Sequence, residues 1–173
     1  MRLELSKCVL RPLELTDAPA LAKHADNRAV WSNMADIFPH PYTRDDADRW
    51  LTKVVNEKPP TNFAITVNDE VVGVIGFESE PHPRKHCAKI GYWLGQDYWG
   101  RGIATEALRA VTVHAFAHHE VKRLHAHVFS WNAASMRVLE KCGYQREGWF
   151  RQSVMKDGRL VDQAFYAKLR DQQ

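Results

Sequence analysis

From Cys8 to Leu15 apolar and polar residues alternate, the period of a half-buried strand, and Pro12 favours an edge or a strand end. Thr16-Asp17-Ala18-Pro19 reads as a helix start, with a hydroxyl cap, an early acid and a proline in the first turn. That helix runs to about Asp26, and a second short helical piece covers Arg28 to Met34. Phe38-Pro39-His40-Pro41-Tyr42 is loop, because two prolines remove ladder donors. Thr43 caps a further helix with the stripe Ala47, Trp50, Leu51, Val54 and Val55. Asp45 and Asp46 complement its N-terminus, and Lys58-Pro59-Pro60 ends it.

The period then changes to two. Phe63 to Val67 and Glu70 to Glu78 form a hairpin about Asn68-Asp69, and Ala88 to Leu94 is another strand beyond the polar loop Pro81-His82-Pro83-Arg84-Lys85. Gly102 to Phe116 is helical, Leu124 to Trp131 a strand, and Ala134 to Lys141 a helix closed by Gly143. Two last strands, about Tyr144 to Lys156 and Leu160 to Leu169, flank Lys156-Asp157-Gly158-Arg159. Strand, helices, a three-strand meander, helix, strand, helix and two strands predict a mixed α+β or α/β fold with one open sheet. Strand and helix do not alternate throughout, so neither a barrel nor a Rossmann winding is expected.

A chain of 173 residues fits one domain, residues 1–173, on the usual roughly 100–200 residues per domain. The net charge of +3 is too mild to indicate nucleic acid. Three widely spaced cysteines, Cys8, Cys87 and Cys142, make neither a disulfide framework nor a Cys-rich zinc site, which places the chain in a reducing, cytoplasmic setting. No apolar run reaches the ~20 residues of a membrane span. Met1-Arg2 is no myristoylation start, Asp171-Gln172-Gln173 no prenylation box, and no secretory leader is expected. Six tryptophans are the unusual feature, offering large rigid surfaces for packing or for a ligand.

The most informative stretch runs from Ile90 to Leu108. A strand runs into a turn containing Gly100 and Gly102, and the turn opens a helix. Amides at a helix start lack internal partners and carry partial positive charge, and glycines let a ligand approach them, so the segment suits a pyrophosphate. Gly100-x-Gly102 has Thr105 where a dinucleotide fingerprint has its third glycine, and no Gly-Lys-Ser/Thr marks a P-loop.

Tyr98-Trp99-Gly100-Arg101-Gly102-Ile103-Ala104-Thr105-Glu106-Ala107 closely resembles the acetyl-CoA loop of the GNAT N-acetyltransferases, Arg/Gln-x-x-Gly-x-Gly/Ala, with Trp99 at the first position. Leu10-Arg11-Pro12-Leu13 with Thr16-Asp17-Ala18, Asn132-Ala133-Ala134-Ser135, and Val138-Leu139-Glu140-Lys141-Cys142-Gly143-Tyr144 resemble the branch of ribosomal-protein N-terminal acetyltransferases, the RimJ/RimL type. The resemblance covers nearly the whole chain. It implies the GNAT fold, an open, mostly antiparallel sheet of about seven strands with helices on both faces. It also implies direct acetyl transfer from acetyl-CoA to an amine, without an acetyl-enzyme.

By that resemblance, amides of Trp99, Gly100, Arg101, Gly102, Ile103, Ala104 and Thr105 hold the pyrophosphate, and Tyr92-Trp93-Leu94 pair with the pantetheine amides. A gap between that strand and Leu124–Trp131 admits the thioester arm, and donors near Trp93 or Leu94 face the oxyanion. The tyrosine many relatives use as acid is Leu139 here, so Ser135 is the candidate for protonating the thiolate, with Asn132 orienting the cofactor or a water. The branch's glutamate base falls, by ungapped count, on Val154. Glu78 is the first alternative base, then Glu80, His82 and His86, or a water chain. Trp31, and Tyr42 as a lid, are candidates to line the acceptor site, whereas Trp50 lies on a core stripe.

Nine histidines raise the question of metal. His114 and His118 are one helical turn apart and His125-x-His127 share a strand face, yet no complete ligand set accompanies either pair, so no metal is expected. Arg84-Lys85-His86 is a solvated loop or an attractor of phosphates. The acceptor is a protein N-terminal amine or a small amine, with no nucleic-acid or membrane partner. The family's frequent homodimers and the C-terminal strand edge leave a homodimer open. The competing function is a non-catalytic acyl-CoA-binding or regulatory module, suggested by the residues at Val154 and Leu139.

Overall fold

A computed structural model of the chain describes residues 2–170. Met1 and Asp171-Gln172-Gln173, on which the readings of the two chain ends partly rest, lie outside the described residues. The strands are β1 (Leu3–Glu4), β2 (Val9–Pro12), β3 (Asn62–Val67), β4 (Glu70–Ser79), β5 (Cys87–Leu94), β6 (Arg123–Phe129), β7 (Gln145–Lys156) and β8 (Arg159–Leu169). The helices are α1 (Ala18–Ala25), α2 (Arg28–Trp31), α3 (Arg44–Val54), α4 (Ile103–His118) and α5 (Ala133–Lys141). One sheet runs in the order β1-β2-β3-β4-β5-β6-β8-β7, eight strands rather than the expected seven. The additional strand is β1, whose two residues are too few to show a period in sequence. The described backbone groups into two compact units, residues 2–76 with Tyr92–Ala107, and Phe77–Gly91 with residues 108–170.

In the first unit, β2 to β4 are antiparallel neighbours, and Leu21, Ala25, Ala47 and Leu51 pack with Ala64, Val71 and Val74 in one apolar cluster. The β3–β4 hairpin turns at Asn68 and Asp69, with φ of 50° and 64°, as a tight two-residue turn requires. The Thr16 cap expected for α1 is not what ends the preceding strand. A single 3-10 turn, Leu15–Asp17, intervenes, and Asp17 Oδ2 accepts from the Glu14 amide at 2.8 Å. Arg11 holds the buried Asp17 through two bonds, 2.6 and 2.9 Å. The Thr43 cap of α3 is found as read: Asp46 N donates to Thr43 Oγ1, and the Asp46 carboxylate accepts from Thr43 N. α2 stops at Trp31, three residues short of Met34.

In the second unit, β6 pairs parallel with β5 over three positions, Cys87–Lys89 against Arg123–His125, and antiparallel with β8 along its whole length. β6 ends at Phe129 rather than Trp131, because Ser130 N bonds Asp162 O and Asn132 N turns back to Phe129 O. Leu124, Leu139 and Tyr166 are fully buried, and the Tyr166 hydroxyl donates to Glu140 at 2.7 Å. On β7, Phe150 faces Gln163 and Val154 faces Val161, so β7 advances four residues while β8 advances two. This bulge places Gln152 at φ 48°.

Candidate active site

Gly95 fixes the exit of β5, its amide donating to Val72 O at 2.8 Å. A short 3-10 turn, Gln96–Tyr98, follows, and the Trp99 indole reaches back to Leu94 O at 2.6 Å. Trp99 thus does a specific job: its ring bond ties the turn to the strand it leaves. Gly100 and Gly102 have φ of 74° and 79°, where an L side chain is strained. Glu106 N donates to Gly102 O at 3.1 Å, which joins the turn to the first turn of α4. Arg101 is exposed, its guanidinium 5.3 Å from the centre of the Tyr98 ring.

Sequence reasoning missed the brace behind this turn. Lys7 Nζ donates to Arg101 O at 2.9 Å, the Lys7 amide donates to Glu106 Oε2 at 2.9 Å, and Ser6 Oγ donates to Glu106 Oε1 at 2.5 Å. A Cβ at Gly102 would lie 2.8 Å from Lys7 Nζ. No local motif signals this contact, because its halves are about a hundred residues apart in sequence. At the end of β5, Leu94 is buried, while Tyr92 and Trp93 are half-buried. The Trp93 ring meets Phe38 edge-on at 5.8 Å, so its side chain serves the core.

In the second unit, Asn132 caps α5, its Oδ1 accepting from Ser135 N at 3.0 Å. Ser135 is half-buried in the first turn, and Leu139 is wholly buried one turn later. Asn132 therefore has a structural role, and its amide nitrogen carries two further donors. Glu78 is exposed at the end of β4. Glu80 instead meets His125, Oε1 to Nε2 at 2.9 Å, and ion-pairs with Arg84. Burial is the main reason that the His125 and His127 imidazoles sit below their usual range. His82 and His86 are exposed, and His86 Nδ1 lies 3.0 Å from Glu120 O. Val154 falls beside the β7 bulge, where counting residues without gaps loses register.

Tyr42 is no lid. It is 7% exposed, packed against Phe38 at 4.8 Å, and burial pushes its phenol up to about 12. Trp50 packs against the same cluster, and Trp31 stacks on His40 at 5.6 Å. Among the described residues, no group of three or more His, Cys, Asp or Glu is arranged to hold a metal. His114 and His118 stack at 4.6 Å, and His125 and His127 meet at 5.7 Å. Among the described residues no helix is long and apolar enough to cross a membrane.

Residues 7–145 match the family model described as acetyltransferase (GNAT) domain. The chain is 30% identical over 170 residues to the uncharacterized N-acetyltransferase p20 of Bacillus licheniformis, covering 95% of this chain and 93% of that protein. It is 28% identical to the ribosomal protein uS5-alanine N-acetyltransferase of Escherichia coli, covering 96% and 90%. The solved structure of RimL, a ribosomal L7/L12 alpha-N-protein acetyltransferase in complex with coenzyme A, superposes with a TM-score of 0.86. It is 22% identical and covers 98% of both chains. These relatives are named as transferases, which does not favour the reading as a non-catalytic module. A glycine turn opening α4 at the end of β5, a sheet of this order and a family match over most of the chain agree: the chain belongs to the GNAT acetyltransferases and is an acetyl-CoA-dependent N-acetyltransferase.

Proposed function

We propose that the chain moves an acetyl group from acetyl-CoA to a protein N-terminal amine or a small-molecule amine, with the turn Trp99–Thr105 cradling the pyrophosphate. The observation that carries this reading is the pair of positive φ angles at Gly100 and Gly102 directly before α4. Together they form a side-chain-free cradle at a helix start, where backbone amides and the helix dipole favour an anion. Tyr92, Trp93 and Leu94 offer strand backbone to the pantetheine amides. Bound acetyl-CoA supplies the electrophilic acyl carbon. The amine nitrogen forms the new C–N bond and gives up a proton, the C–S bond breaks, and the departing sulfur takes a proton. Ser135 relays that proton, held in place by the first turn of α5, and Asn132 orients the arm or a water. Glu78 remains a candidate base, alongside the Glu80–His125 pair. The reading includes no metal and no nucleic-acid or membrane partner, and it sets the chain in the cytoplasm.

Calorimetric titration with acetyl-CoA tests the cradle. Wild type binds, and Gly102→Val, which forces a β-branched side chain into φ 79° and against Lys7, binds at least tenfold more weakly with its circular dichroism unchanged. Equal affinity of the folded variant contradicts the placement.

A further inference from the structure

The second unit contains a cavity of about 480 Å3 whose walls include Glu80, Arg84, His125, His127, Phe150 and Phe165. Its arginines are already answered: Arg84 by Glu80, and Arg123, also in the lining, by Glu147. Lys89 adds a positive field at both His125 and His127, so what selects a hydrogen-bond donor here is the orphaned nitrogen of His125 rather than the net charge. His125 is 5% exposed, and its Nδ1 is buried without a hydrogen-bond partner. Nε2 lies 2.9 Å from the Glu80 carboxylate. A carboxylate offers only lone pairs, so the proton sits on Nε2 and Nδ1 presents its lone pair. A buried acceptor without a donor is uncommon and calls for an explanation.

The surroundings say what kind of donor fits. Phe165 stacks on His125 at 5.3 Å and meets His127 edge-on at 4.9 Å, and Phe150 lies 5.5 Å from Phe165. The walls are thus aromatic and imidazole faces, which suit an apolar body and tolerate an adjoining cation. We infer that this cavity is the acceptor subsite, taking a primary amine on a short apolar or aromatic body, with the amine N–H donating to His125 Nδ1. Glu80 is a positioning residue that fixes the tautomer of His125. The identity of the ligand as an amine rests on the acetyltransferase reading, and the location rests on the cavity and its orphaned nitrogen.

Imidazole nitrogen NMR of the full chain tests this with phenethylamine as the probe and 3-phenylpropionate as the control. In wild type the spectrum shows the Nε2–H tautomer at His125, and phenethylamine at ~10 mM moves the Nδ1 resonance while 3-phenylpropionate does not. Glu80→Gln, which keeps an acceptor, preserves the tautomer and the response, whereas Glu80→Leu loses both. His125→Phe weakens phenethylamine binding at least tenfold. The wild-type titration decides the matter even if a variant fails to fold. A Nδ1 resonance unmoved by the amine, or moved by the carboxylate instead, overturns the inference. Acetyl-CoA titrated into the same sample separates the two claims, since its failure to bind counts against the transferase reading and leaves the amine result standing.

Discussion

At the scale of single residues, the proposed site combines groups with visible structural work and groups to which the proposal assigns chemistry. Asn132 caps a helix, and Ser135 donates its amide to that cap; the proposed proton relay assigns its chemistry to the Ser135 hydroxyl. Ser135→Ala keeps the amide and removes only the hydroxyl. It should lower kcat by ten- to a hundredfold, the usual range for losing a proton-transfer group being at least about that large, while acetyl-CoA affinity changes by less than about twofold. Steady-state kinetics beside calorimetry checks this, and an unchanged kcat removes Ser135 from the proton relay. Ser135 became a candidate only through the resemblance of Asn132-x-x-Ser135 to the family's helix, whereas the cap itself is a local pattern, because a cap and its partner are neighbours in sequence. The base was less legible. Glu78 and Glu80 look equivalent along the chain, and only the fold shows one exposed and the other held against His125.

At the scale of elements, the glycine turn proposed to hold the pyrophosphate is stiffened from both sides. Trp99 ties it to β5, and the Ser6-Lys7 segment ties it to α4 through Arg101 and Glu106. Preformed amides bind an anion without first being ordered, so loosening the brace should cost affinity. Lys7→Ala is expected to raise the Kd for acetyl-CoA about three- to tenfold with little change in kcat, and Lys7→Arg to restore most of it, because a donor to Arg101 O returns. Equal Kd values for all three proteins would show that the brace is incidental. Strand and helix identities were readable here because their periods of two and 3.6 are long enough to register. Leu3–Glu4 was too short, the Leu15–Asp17 turn imitates a helix cap, and the β7 bulge shifts every residue count taken across it.

At the scale of the whole molecule, the titrating groups with lowered values set an acid limit. Burial, and then His118 and His119, hold the His114 imidazole at about 4, and burial also lowers His119, His125 and His127. Hydrogen bonds from Lys23 and Arg123 hold the Glu70 and Glu147 carboxyls low. In every case the unfolded chain takes up protons before the folded one. The imidazoles' contribution is therefore complete above their ordinary value of 6.5 and is lost as pH falls towards about 4, whereas the two carboxyls' contribution is lost only below their ordinary value of 4.5. Denaturant midpoints should fall between about pH 7.5 and pH 5, and His114→Gln should flatten the slope. A midpoint independent of pH across that window contradicts the assignment.

The excess of tryptophans, which composition alone ties to packing or to a ligand, divides between the two. Trp50 and Trp93 pack on the α1–α3 cluster, while Trp99 ties the glycine turn to β5 and Trp131 is 48% exposed just before Asn132. The central claim remains that this architecture catalyses acyl transfer to nitrogen. Thiol release from acetyl-CoA, measured with a panel of serine- and alanine-initiated peptides, free amino acids and simple aryl amines, tests it most directly. Wild type should release CoA at least tenfold faster with one of these amine classes than with acetyl-CoA alone, and Gly102→Val should not. Tight acetyl-CoA binding with no acceleration by any amine would contradict the account.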